Sequence, residues 1–344
     1  MQKINFNESH IRKVIIHTVG NRLKNDEYLL SDQELILGDP EMDNYFLTTT
    51  SKLVKNKEFF TFNNIESNSI YENIQSMING KKFVENSHEI CKHLFESIDD
   101  PKVKGGNVVF VEYKDVIVDN VLTNAIGIFK LKEPEKRITI HPNYTRYEVG
   151  FSTSFDLTKI DKGVMIYNYD SENGYLVSVL DKPTKSDVMQ YWSKFFLDIV
   201  PRKDTVYFTN NALDIIENYV LEKLPELTDV KKVEQINLFN NSINYCQEND
   251  NFDYNDFSNK VFSDTSEEFL KYRDAYEKEN DLIKKDDFHI DNSAVKKRAK
   301  KFKTIIKLDD NFDIIVKKGA DNMIVNETDK QGRKYYKLFY NLEE

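Results

Sequence analysis

The stretch from Gly105 to Asp181 most constrains what this chain can fold into. It holds five short segments, "NVVFVEYKDVIVD" (107–119), "NAIGIFKLKE" (124–133), "KRITIHP" (136–142), "GVMIYNYD" (163–170) and "YLVSVLD" (175–181). Each is rich in β-branched and aromatic residues and is bounded by turn formers, the signature of strands on a half-buried pleated surface. "DSENGY" (170–175) places an Asn-Gly hairpin signal between two of them. An antiparallel sheet is the natural reading. A helix is predicted next, from about Ser186 to Ile199, with Val188, Trp192, Phe195 and Ile199 on one face and Pro201 marking its end. That face should cover the sheet.

The flanks read differently. Before the sheet, "RKVIIHTVG" (12–20) looks like a further strand, and two capping boxes, Ser69 with Glu72 and Asn86 with Glu89, open predicted helices. Ile70, Ile74 and Met77 form one apolar stripe, and Ile90, Leu94 and Ile98 another. After the sheet, residues 209–283 read as helical. Leu213, Ile216, Val220 and Leu224 repeat at helical spacing before Pro225, Thr228 opens the next helix, and Thr265 with Glu268 caps another. "EKENDLIKKDD" (277–287) is almost wholly charged and is the best linker candidate. Two β-rich runs near the C-terminus suggest a small sheet with turns at 309–311 and 329–332. The expected class is α+β: an N-terminal domain (1–204) with an antiparallel sheet and covering helices, a helical region (205–287), and a basic helix plus small sheet (288–344).

Charge is distributed unevenly. The formal net charge is −10, yet residues 1–295 hold 35 Lys/Arg against 50 Asp/Glu, whereas 296–337 hold 13 against 6. A cationic island on an acidic body suggests a localised face for a polyanion. Its centre is "AVKKRAKKFKTIIK" (294–307), with seven cations and no anion. On a helix starting near Asn292, Val295, Ala299, Phe302 and Ile306 fall within about 60° of one another. Lys296, Lys297, Arg298, Lys300, Lys301 and Lys303 are then left on the remaining surface; if "TIIK" instead begins the following strand, Ile306 leaves the stripe. Lys307, Arg333 and Lys334 extend the same basic region. A lysine-rich helix face is commonly just a solvated face. Its alternative is a nucleic-acid contact, and with a single Arg among lysines that contact would be to the phosphate backbone, since bidentate guanine readout favours Arg.

Other chemistry finds little support. Glu112 and Lys114, with Asp99 and Asp100 upstream, loosely resemble a nuclease Asp…Glu-x-Lys pattern, but two polar residues on one face of a strand is the ordinary explanation. His88 and Cys91 lie one helical turn apart, with His93 turned away and no fourth metal ligand. Gly105-Gly106 lacks the helix and Lys-Ser/Thr of a phosphate-binding loop. No catalytic residue, cofactor or metal is expected. Two cysteines, Cys91 and Cys246, are too few for a disulfide framework and read as reduced core thiols. No segment approaches a signal peptide or membrane span, so a cytoplasmic location and no membrane partner are expected.

The order of segments carries more than any single motif. "IRKVIIHTVGN" (11–21), "DPKVKGGNVVFVEY" (100–113), "IDKGVMIYNYDSENGYLVSVLD" (160–181), "QYWSKFFLDIVPRKD" (190–204), "AVKKRAKKFKTIIKLDDNFDIIV" (294–316) and "GRKYYKLFY" (332–340) together resemble the bacterial nucleoid-associated NdpA/YejK family, in its Bacteroidota-like version. The resemblance spans nearly the whole chain. It implies a non-enzymatic, cytoplasmic protein of the nucleoid that associates with double-stranded DNA, directly or through a nucleoid protein partner. It transfers no catalytic residue, and the lysine assignment rests on charge and periodicity. Joining two DNA contacts would raise avidity, which makes a homodimer a further expectation.

Overall fold

The computed structural model describes residues 3–53, 58–180, 191–301, 305–308, 311–315 and 323–342. The architecture is α+β, and the chain divides into two compact units, residues 2–202 and 203–344.

In the first unit, β1 (Ile4–Asn5), β2 (His10–Val19), β3 (Tyr28–Leu29), α1 (Pro40–Leu53), β4 (Phe60–Phe62), α2 (Ser69–Ile78) and α3 (Phe83–Glu96) come first. They are followed by β5 (Gly106–Val118), β6 (Val121–Leu131), β7 (Glu135–Asn143), β8 (Arg146–Ser154), β9 (Ile160–Tyr167), β10 (Leu176–Leu180) and β11 (Ile199–Pro201). The main sheet runs β11-β4-β10-β9-β6-β5-β2-β3, with β1 added on β5 and every pair antiparallel. Its central strands read as continuous apolar runs because both faces are buried. Val108, Phe110, Ile126, Ile128, Val164 and Ile166 share a core with Ile70, Ile74 and Met77 of α2 and Ile90 and Leu94 of α3. Their alternate neighbours Val109, Val111, Tyr113, Phe129, Met165 and Tyr167 pack on the other face with Phe46 of α1. Each such side chain contributes roughly 1.5–3 kcal/mol by leaving water. The Phe129 ring occupies the space of absent side chains: a Cβ on Gly127 would lie 2.5 Å from it, and one on Gly163 3.0 Å.

β7 and β8 form a hairpin of their own, inserted between β6 and β9 beyond the Leu131–Ile160 pair that ends the main sheet there. Two nine-residue strands make a ribbon about 30 Å long.

The second unit contains α4 (Thr205–Asn218), α5 (Leu224–Leu227), α6 (Lys232–Glu248), β12 (Asn251–Asp253), α7 (Tyr254–Val261), α8 (Ser266–Glu279), β13 (Asp287–His289) and α9 (Asn292–Lys301). β14 (Ile305–Leu308), β15 (Phe312–Ile315), β16 (Ile324–Thr328) and β17 (Lys334–Leu338) complete it. Its core is dense in aromatic rings: Phe252 stacks on Phe288 at 5.2 Å across the β12–β13 pair, and Phe262 meets Phe269 at 4.6 Å.

Several local expectations shift. The cap of α2 is Asn68, one residue before Ser69, with its Oδ1 accepting from the Tyr71 amide at 3.0 Å. Asn86 lies inside α3, which begins at the buried Phe83 after a left-handed Lys82, and its side chain donates back to the Lys81 carbonyl. Thr228 closes the preceding turn on Leu224, so α6 starts only after Lys231, and Thr265 makes no side-chain cap on α8. The helix expected to reach Ile199 ends at Phe196 as a wide π-type turn, Tyr191–Phe196. Ile199 and Val200 instead pair with β4 after a left-handed Asp198, and Phe195 is exposed while Tyr191, Trp192 and Phe196 are buried. Residues 186–190, with Val188, lie outside the described residues. The Asn-Gly segment is a longer connection, a short 3₁₀ turn (Ser171–Asn173) closed by Gly174 at φ +88°.

The charged segment 277–287 is held in place. The Arg273 guanidinium, 3.7 Å from the centre of the Tyr254 ring, bonds Glu277 at 3.0 Å and Asp286 at 2.8 Å, and Asp287 already belongs to β13. Finally, the expected small C-terminal sheet is two separate hairpins among the described residues, β14–β15 and β16–β17. Ile324 of the second packs on Val233 and Ile236 of α6, and Gly332 at φ +82° forms its turn.

Candidate nucleic-acid interface

α9 is set by its first residues. The buried Asp291 stands just ahead of the helix, and its Oδ1 accepts from the amides of Ser293 and Ala294, both at 2.9 Å. Burial alone would raise the Asp291 pKa, but these hydrogen bonds and the Ser293 hydroxyl outweigh it and hold the carboxyl below its ordinary range. The Asp291 amide in turn donates to Thr209 of α4 at 3.0 Å. Ala294 and Val295 are buried, and Val295 joins the core of Leu213, Ile216, Phe288 and Ile290.

The inward face then departs from the apolar stripe drawn from sequence. Ala299 is exposed, Phe302 lies outside the described residues, and Ile306 belongs to β14. Arg298 takes the inward position. Its guanidinium bonds Glu217 of α4 at 2.8 Å and also contacts Asp214, leaving 20% of the side chain exposed. Burial pulls its pKa down from the ordinary arginine value. A planar fork can satisfy two carboxylates one turn apart, and this polar tie fixes the helix rotation where a weak apolar stripe does not.

The rotation leaves Lys296, Lys297 and Lys300 exposed on one helix, with Lys301 ending it. Lys307 sits on β14 opposite Asp313 of β15. Arg333 is largely exposed but bonds Asp329 at 2.7 Å, Lys334 is exposed, and Lys337 bonds Glu327. Lys303 lies outside the described residues. α6 brings the parts together, since both α9 and β16 pack on it.

A second cationic concentration went unread in the sequence. In the first unit, Lys102, Lys104, Lys130, Lys132, Lys159 and Lys162 line a cavity of about 580 Å³, against the carboxylates of Glu133, Glu135 and Asp161. Lys130 and Lys162 face each other across β6 and β9 and are both buried, with Lys130 bonded to Asp161 at 2.7 Å. Spread over about sixty residues, these lysines converge only when β5, β6 and β9 align. The K-x-K spacing in "PKVKGG" and "FKLK" was the available signal.

The other candidates are structural. Glu112 is buried, with Oε1 held by Lys114 at 3.0 Å and Arg12 at 3.1 Å. The His88 Nε2 meets the Ser31 carbonyl at 2.8 Å, and His93 meets that of Phe196 at 3.1 Å. Cys91 and Cys246 are buried free thiols, and burial raises both pKa values, Cys246 to about 12. Among the described residues no three His, Cys, Asp or Glu side chains gather as a metal site, and no helix is long and apolar enough to cross a membrane.

The family model described as nucleoid-associated protein YejK matches residues 15–333. The chain belongs to this family. The match takes in both units and nearly all of the basic region, α9 included. YejK is a nucleoid-associated family, not a known enzyme family. No curated protein matches the chain.

Proposed function

We propose that this YejK-family protein is a non-catalytic, cytoplasmic constituent of the nucleoid that binds double-stranded DNA with little sequence specificity. The contact is made by phosphate-directed lysines, Lys296, Lys297, Lys300 and Lys301 of α9, with Lys303, Lys307, Arg333 and Lys334 extending it. The observation that carries this reading is the division of labour on α9: its one arginine is bound to α4, while Lys296, Lys297 and Lys300 are exposed. Ammonium groups on a rigid, capped helix neutralise phosphates and release condensed counterions, without the bidentate geometry that reads bases.

The test is duplex binding across a salt series with a Lys296→Gln/Lys297→Gln/Lys300→Gln/Lys301→Gln variant. Each lost phosphate contact removes about 0.9 from the slope of log K against log salt. Between about 50 and 200 mM salt the wild-type protein should therefore lose roughly 100-fold more affinity than the variant. Equal slopes would move the contact elsewhere. The acidic excess of residues 1–295 favours one second reading, recruitment to the nucleoid through a protein partner. In that case neither purified protein binds the duplex.

A further inference from the structure

The β7–β8 ribbon has two unlike faces. Cross-strand pairs place Ile138 opposite Phe151, Ile140 opposite Val149 and Pro142 opposite Tyr147, so all six share one face. Ile138 and Ile140 are each 63% exposed, Val149 67%, Tyr147 75% and Phe151 81%. The opposite face is polar, and its charges are matched locally: Arg137 with Glu135 and Asp156, Arg146 with Glu148. A lone two-stranded ribbon is marginal in water, and it needs its apolar face covered to stand as an ordered arm. Within the described residues, β7 and β8 have only sparse contacts with other elements.

We infer that this face is a homodimer interface, in which the arms of two copies pack apolar face to apolar face about a two-fold axis. Five side chains offering on the order of 100 Å² each give about 500 Å² per copy. Two copies then bury about 1,000 Å², the level a specific interface needs, before the main chain and Pro142 are counted. Charge selects the occupant. Lys136, at one end, is the only ionised group on the face, so a DNA backbone would find almost nothing to bind there. A second identical face meets it with no desolvated ion. The two-fold closes the contact on itself, so the apolar face of the arm is used up in the pair and does not propagate assembly.

The test is the solution mass of the full chain, in the absence of DNA, over a concentration series. Wild type should sediment at twice 40.5 kDa, and an Ile140→Glu/Phe151→Glu variant at 40.5 kDa. Both residues are exposed in the single chain, so the variant should keep the wild-type far-ultraviolet spectrum apart from the strand signal of the arm itself. Should the variant not fold, hydrogen exchange on wild type decides: amides of 138–151 should gain protection as concentration rises through the dimer transition. A wild-type chain that stays monomeric, a variant that still dimerises, or exchange independent of concentration each overturns the inference. A monomeric wild type whose arm is protected only on adding duplex, or only on adding another protein, would assign the face to that partner instead. Failure of DNA binding leaves the mass measurement untouched, so the two readings fail separately.

Discussion

Arg298 offers the sharpest separation of structural charge on α9 from the charge proposed to face DNA. In Arg298→Gln the guanidinium that ties α9 to Glu217 and Asp214 is lost, and two carboxylates one turn apart on α4 are left facing each other. An exposed ion pair contributes about 0–1 kcal/mol, whereas stripping one partner from a buried pair costs about 3–5 kcal/mol. With a fifth of its side chain exposed and its carboxylates 28% and 45% exposed, Arg298 falls between these limits, so a loss of about 1–2 kcal/mol is expected. Urea denaturation should show a lower midpoint with an unchanged slope, because the surface exposed on unfolding is the same. The same variant should keep the wild-type salt slope for duplex binding. The four-lysine variant should do the reverse, holding its midpoint and losing its slope. An unchanged midpoint for Arg298→Gln, together with a slope shallower by about one, would refute the assigned helix rotation and put Arg298 on the DNA.

Two further predictions concern the first unit. The buried His17 accepts from the Ser31 amide through Nδ1 at 3.0 Å and meets the Ser87 hydroxyl through Nε2 at 2.8 Å, and burial, then the neighbouring His88, lowers its pKa to about 4. Below the unfolded value of about 6.5 the unfolded chain takes up a proton that the fold refuses. Stability attributable to His17 is therefore full above that pH and drains as pH falls toward 4, by about 2 kcal/mol at pH 5. Comparing wild type with His17→Gln at pH 7.5 and pH 5 checks this, and a wild-type loss no larger than the variant's would refute it. Glu112→Gln removes the anion shared by Arg12 and Lys114; with Arg12 partly exposed, about 2–3 kcal/mol should be lost, read as a lower urea midpoint. Incubation of wild type with duplex and Mg²⁺ or Mn²⁺ should leave the DNA intact; cleavage abolished by the substitution would restore the nuclease reading.

The main sheet was legible because its alternate positions are apolar on both sides, a pattern only a doubly covered strand sustains, as in "VVFV" of β5. Helix stripes such as Ile70, Ile74 and Met77 were legible for the same reason of burial. The start of α9 at Asn292 was legible too, but several other helix starts were not, because a cap is one hydrogen bond, and a neighbour such as Asn68 can supply it as well as Ser69 can. The 277–287 segment misled through composition. Its charges look solvated, yet Asp286 and Glu277 are ligands of the buried Arg273, a pairing invisible without knowing that α8 brings them together. On α9 the sequence showed five cations but not which one turns inward. That choice is made by Asp214 and Glu217, some eighty residues away on α4.

The β7–β8 arm makes the opposite point about what a pattern records. Strict alternation, as in "RITIHP" and "YEVGFST", is the mark of a strand with one face in water and one in a core. Among the described residues that second face has no core: Ile138, Ile140, Val149 and Phe151 stand more exposed than buried. Exposed positions place no premium on apolar side chains, and a β-ribbon in water would be better served by threonine at each of them, with less risk of adhesion. The alternation therefore matches the proposed arm-to-arm contact, in which a second copy would cover this face. The length of the arm, about 30 Å, sets the reach over which that second copy would have to match it.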